Sequence, residues 1–166
     1  MHMIIAATGH RPDKLGGYGY KTEQKLLSLA LVYLEDVQPE KVITGMALGW
    51  DTAVAMAAYC LSIPFIAAVP FTGQHYKWDP EHIRRYHEIL TAAESVHTIT
   101  AGGYSARAME IRDRWMVDHA GRVVALWSGV PSGTGTTIRY AKRKKVEVDN
   151  LWTRWRTGHF DLDLAI

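Results

Sequence analysis

Two periodicities alternate along the chain. Residues 3–8 (MIIAAT) are a short apolar run closed by Gly9, the pattern of a strand buried on both faces. Residues 21–37 (KTEQKLLSLALVYLEDV) instead place Leu26, Leu27, Leu29, Ala30, Leu31, Val32 and Leu34 at helical spacing. Short apolar runs recur at 41–45, 63–70, 95–100, 122–127 and 146–152. Helical patterns separate them: Asp51 to about Leu61, 79–93 with Pro80 in its first turn, 105–120 with Gly121 as its stop, and 134–145. Repeated strand-helix alternation predicts parallel strands joined by right-handed crossovers, hence a doubly wound α/β sheet. Residues 4–150 are expected to form one such domain, and 151–166 a C-terminal tail.

That architecture gives glycine placement a meaning. Ligands of open parallel sheets bind beyond the carboxyl ends of the strands, where each strand hands over to its helix. Gly9, Gly16, Gly17 and Gly19 follow the first strand, Gly45 and Gly49 the second, and Gly73 the third. Gly102 and Gly103 follow the fourth, and Gly129, Gly133 and Gly135 the fifth, leaving only Gly121 and Gly158 elsewhere. Turns alone would spread glycine over both edges, so one rim is expected to admit close backbone approach by a ligand.

Two connections on this rim have the chemistry of an anion cradle. In residues 128–137 (SGVPSGTGTT), Ser128, Gly129, Ser132, Gly133, Thr134, Gly135, Thr136 and Thr137 lead into a helix. Its first-turn amides lack intrahelical partners and carry the positive end of the dipole. An ordinary N-cap with a flexible turn is the alternative. In residues 44–55 (TGMALGWDTAVA), Gly45 and Gly49 bracket a turn, and Asp51 either caps the next helix or grips a sugar hydroxyl. Trp50 offers a stacking face or covers the helix start. His10 and Arg11 leave the first strand between the two cradles, Arg11 as a bidentate phosphate partner and His10 as a donor or acid/base. Tyr18 and Tyr20 form a lid or simply pack.

Composition narrows the function classes. An apolar share of 48% and a charged share of 22% are those of a globular protein, and no apolar stretch reaches the roughly 18–20 residues of a membrane span. The first residues lack a signal-peptide pattern, so a cytoplasmic location is expected. The single cysteine, Cys60, excludes an internal disulfide, and its Ala-rich helix predicts a buried thiol. Net charge is only +2, and the basic run Lys142–Lys145 suits a helix C-terminus, so nucleic acid is not the expected partner. None of the eight histidines forms a metal-ligand motif, and no metal is expected. The tail carries Trp152, Trp155 and Phe160, which either fold over the domain or cover a second subunit in a homo-oligomer.

Five segments in register carry a resemblance: 8–17 (TGHRPDKLGG), 45–58 (GMALGWDTAVAMAA), 63–71 (IPFIAAVPF), 111–129 (IRDRWMVDHAGRVVALWSG) and 132–143 (SGTGTTIRYAKR). From about Ile4 to Val148 the chain resembles the YpsA/YspA-like branch of the SLOG superfamily. The resemblance implies a Rossmann-like domain that binds a nucleotide or nucleotide-derived ligand, as a sensor or sequestering protein, with no other cofactor. It implies roles for Gly49 and Asp51, for the phosphate loop Ser132 to Thr136, and for Arg112 and Asp113, where the branch has Arg-Asn. Relatives include Lonely Guy phosphoribohydrolases, DNA-processing protein A and phage-encoded members. The phosphoribohydrolase motif aligns with Pro131 to Thr136, but its catalytic glutamate is replaced by Arg139. An oxocarbenium-like centre needs a nearby carboxylate, so hydrolysis of an N-glycosidic bond is an alternative resting on Asp51, or on Glu110 or Asp113. A single-stranded nucleic-acid module, using Lys142–Lys145, Arg154 and Arg156, is the third reading.

Overall fold

The computed structural model describes residues 3–160. Strands and helices follow in the order β1 (Ile4–Gly9), α1 (Tyr20–Val37), β2 (Lys41–Thr44), α2 (Trp50–Cys60), β3 (Phe65–Val69), α3 (Pro80–Ala92), β4 (Ser95–Thr98), α4 (Ala106–Asp118), β5 (Arg122–Leu126), α5 (Gly133–Arg143), β6 (Glu147–Asn150) and α6 (Trp152–Thr157). A single 3₁₀ turn, Pro12–Lys14, sits between β1 and α1. The six strands form one parallel sheet in the order β4-β3-β2-β1-β5-β6. The fold is therefore the Rossmann-like, doubly wound α/β sheet that the alternation predicts.

Period-two alternation on the central strands explains why both faces are covered. Ile5 and Ala7 on β1, Val42 on β2 and Val124 and Leu126 on β5 face a core shared with α1, α2, α3 and α6. Ala6, Ile43, Ala68 and Val123 face the opposite core, completed by Met116 and Val117 of α4 and Ala141 of α5. The sheet grows leftward from β1 through β2 to β4 and rightward through β5 to β6. The switch point thus falls between β1 and β5, where ligands of such sheets bind.

Two local expectations change, and the open reading of the tail is decided. Cys60 is exposed, because it is the last residue of α2 and points away from the core. The apolar share of α2 runs nearly all round the helix, so periodicity could not orient that end. Helix α4 stops at Asp118, before Gly121, whose amide instead donates to Ile4 O at 2.9 Å and leads into β5. The tail folds over its own domain: Leu151 and Trp155 are buried in the α1–α2 core, with Trp152 and Phe160 packed against it. The rest of the tail, 161–166, lies outside the described residues. Among the described residues no helix is long and apolar enough to cross a membrane.

Candidate functional site

The connection after β2 is held by its own side chains. Thr44 donates its hydroxyl to Asp51 O at 2.8 Å and accepts from Met46 N at 3.3 Å. Gly49 is the N-cap of α2, with φ +94°, and a Cβ there would stand 2.6 Å from His10 O. Trp50 is fully buried, its indole donating to Val124 O at 3.5 Å, so it covers the helix start and offers no stacking face. A Cβ on Gly9 would lie 2.5 Å from the Trp50 ring. These glycines make room for protein atoms.

Asp51 does not cap α2. It lies within the first turn, 6% exposed, and its Oδ2 accepts from Ala47 N at 3.4 Å. Its Oδ1 is buried without a hydrogen-bond partner. Burial pushes the carboxyl up to about 7; Arg112 and Arg11 oppose the shift and Asp113 adds to it.

Arg112 is a buried brace, 3% exposed. Its Nη1 donates to Gly45 O at 2.7 Å and Ala68 O at 3.2 Å, tying the ends of β2 and β3 to α4. Its Nε donates to Asp113 Oδ1 at 2.7 Å, and Asp113 Oδ2 accepts from the Thr137 hydroxyl at 3.2 Å. The chain of bonds links four elements across the switch point. A Cβ on Gly45 would lie 2.6 Å from Arg112 Nη1 and 2.9 Å from Asp51 Oδ2, which is why that position is glycine.

His10 serves as a latch. It is 3% exposed, and its Nε2 accepts from Ser128 N at 3.0 Å, with Ser128 Oγ also at 3.0 Å. Burial, with Lys14 nearby, holds its pKa below the ordinary value, so the ring is the neutral acceptor that this amide requires. The ring also meets Trp152 edge-on, centroids 6.0 Å apart. Arg11 is exposed and, among the described residues, its guanidinium makes no hydrogen bond or ion pair.

Ser132 caps α5, its hydroxyl accepting from Gly135 N at 3.2 Å. The capping alternative therefore holds for that amide. Gly133 and Thr134 head the helix, where no carbonyl lies one turn back to accept from their amides. A Cβ on Gly135 would strike the Trp127 ring at 2.8 Å, whereas Gly133 faces open space.

These elements enclose a cleft of about 540 Å³ over the switch point, within the range of small-molecule sites. Gly9, His10, Arg11, Asp51, Arg112, Ser132, Gly133, Thr134, Thr136 and Thr137 line it. Gly45, Gly49, Ser128, Gly129 and Gly135 do not; the first two and the last are occupied by internal packing, and Ser128 by His10. Sequence reasoning missed Lys14, Tyr104, Arg114 and Tyr140, which also line the cleft. For Tyr104 the neighbouring pair Gly102-Gly103 on the same rim was the available signal. Tyr18 and Tyr20 line a separate, more apolar cavity of about 210 Å³ against α1, α2 and α3.

Together these features define a Rossmann-like α/β protein with a cleft at its topological switch point. The chain belongs to the YspA SLOG family, whose family model matches residues 5–151. It is 28% identical over 161 residues to the uncharacterized SPbeta prophage-derived protein YoqJ of Bacillus subtilis strain 168, covering 87% of this chain and 94% of that protein. DNA processing protein A (DprA) of Streptococcus pneumoniae shares the fold with a TM-score of 0.65 at 20% identity, over 89% of this chain. The chain spans 49% of that protein's length. The molybdenum cofactor binding protein of Rippkaea orientalis has a TM-score of 0.58 at 15% identity, over 95% of this chain and 83% of that one.

Proposed function

We propose that the cleft binds a nucleotide or nucleotide-derived molecule, the protein acting as a sensor or sequestering protein for it. The observation that carries this reading is Asp51, a nine-tenths buried carboxyl whose Oδ1 has no partner in a cleft headed by the α5 N-terminus. A buried polar atom without a partner is costly unless something supplies the bond. A ligand hydroxyl or amino group supplies it. The phosphate lies on the amides of Gly133 and Thr134, where the helix dipole contributes about 0.3–2 kcal/mol before direct bonds form. Arg11, unpaired among the described residues, closes on the same anion from the β1 side. That one fold neighbour is a cofactor-binding protein agrees with this use of the rim.

Thermal unfolding with a panel of mono-, di- and cyclic nucleotides and ADP-ribose tests it. A ligand at a hundred times its dissociation constant adds about 2.7 kcal/mol to stability, and Arg11→Ala should abolish most of that gain. A panel with no shift for any phosphate-bearing ligand overturns the proposal.

A second reading draws on the raised pKa of Asp51. A carboxyl titrating near 7 is poised as a general acid, the role that protonating a leaving base in N-glycosidic cleavage requires. Chromatography for released base, with Asp51→Asn as control, separates binding from turnover. Single-stranded DNA retention at graded salt tests the remaining nucleic-acid alternative.

A further inference from the structure

We infer that Tyr104 is the platform on which the ligand's aromatic ring stacks, so that the bound molecule spans the cleft from the α5 N-terminus to the β4–α4 loop. This rests on the proposed anion site and adds the opposite end.

The aromatic rings around the rim can be compared one by one. Trp50 is buried against Gly9. Trp127 packs over Gly135 and donates its indole N–H to Val130 O at 2.7 Å. Tyr140 donates its hydroxyl to Asp118 at 2.7 Å, and its ring already carries Arg114, Arg143 and Lys144 at 4.9, 5.7 and 5.7 Å. Tyr18 and Tyr20 belong to the other cavity. Tyr104 differs from all of these. It lines the cleft, it is 76% exposed, and the one ring contact it makes among the described residues is T-shaped, to Phe71, centroids 6.0 Å apart and planes at 82°. Exposed tyrosine with one steadying edge contact is the kind of surface on which a base stacks.

The surroundings agree with an apolar, ring-bearing end. Ala106 and Met109 on the first turns of α4 line the cleft beside Tyr104. Gly102 and Gly103 precede it; a φ of +94° accounts for the first, whereas a Cβ at Gly103 would meet nothing within 4 Å, so internal packing does not account for that glycine. Phe71 follows β3, which lies three strand positions from β5. At about 4.8 Å per position, the ends of these two strands lie roughly 14 Å apart along the rim. Inorganic phosphate or a ribose phosphate reaches one end only. A ligand that uses both carries its phosphate and its ring apart, as a nucleoside phosphate does, with the Asp51 carboxyl between them.

The test is calorimetric titration of the full chain with the four common nucleoside 5′-diphosphates and with ribose 5-phosphate. The wild-type protein should bind at least one nucleotide more tightly than ribose 5-phosphate. Tyr104→Ala should weaken that nucleotide by about 5- to 100-fold, leave ribose 5-phosphate unchanged, and be rescued by Tyr104→Phe. Equal wild-type affinity for the two classes, or an unchanged nucleotide affinity in Tyr104→Ala, overturns the platform while the anion site stands. If the wild-type protein binds none of these probes, the anion site and the platform fall together.

Discussion

The loops after β2 and after β5 flank β1 on its two sides, and both are rich in glycine, yet their glycines answer different needs. After β2, Gly45 and Gly49 are filled from within: a Cβ would strike Arg112 and Asp51 at the first and the His10 carbonyl at the second. After β5, Gly135 accommodates Trp127, but Gly129 and Gly133 face open space, and Gly133 borders the cleft. A glycine-dense turn is therefore no measure of ligand approach. What stands in front of the missing Cβ decides it.

The contrast can be broken or sharpened by substitution. The largest effect is expected from Arg112→Ala, which removes one donor each from Gly45 O, Ala68 O and Asp113 at once. Removing one side of a buried charged network costs about 3–5 kcal/mol, read as a fall in the denaturant midpoint. Gly49→Ala should follow, at about 2–4 kcal/mol, since it combines a left-handed backbone with a clash against His10 O. A loss under about 1 kcal/mol would mean the β2 loop yields easily, and the comparison would lose its first half.

Asp51→Asn probes the same loop through pH. The folded carboxyl stays protonated up to about 7, whereas in the unfolded chain it ionises near pH 4. Between these values the unfolded state holds fewer protons, so this group's contribution to stability falls as pH rises and is lowest above about 7. His10 contributes the opposite slope: its depressed pKa makes stability rise with pH through the ordinary histidine range. The difference between wild type and Asp51→Asn isolates the carboxyl. It should favour the variant by roughly 1–3 kcal/mol at pH 8 and shrink toward pH 4, and a pH-independent difference would contradict the raised pKa.

Gly133→Ala is the smallest and most telling change. With room for its Cβ and no left-handed backbone, it should raise stability by about 0.5–1 kcal/mol. It should also weaken any phosphate-bearing ligand, because the methyl group enters the cleft. Stabilisation without loss of affinity would show that the α5 loop is no more open to ligand than the β2 loop.

The alternation of short apolar runs and amphipathic stretches determined the sheet, its parallel direction and the rim to which the chemistry belongs. It did so because burial on both faces of a strand, or on one face of a helix, leaves a period in the residues themselves. It also placed Arg11, Asp51 and the head of α5 on one rim, since each follows a strand in sequence. Tertiary structure alone decided the rest. Asp51 reads as a cap until Gly49 takes that position, and His10 reads as acid/base until the amide of Ser128 occupies its Nε2. Arg112 reads as a ligand contact until two carbonyls, one just after β2 and one on β3, claim it. A polar side chain's role depends on which partners already satisfy it, and those partners come from residues far along the chain. Tyr104 stands apart for the same reason: only the folded rim shows which exposed aromatic ring lines the cleft.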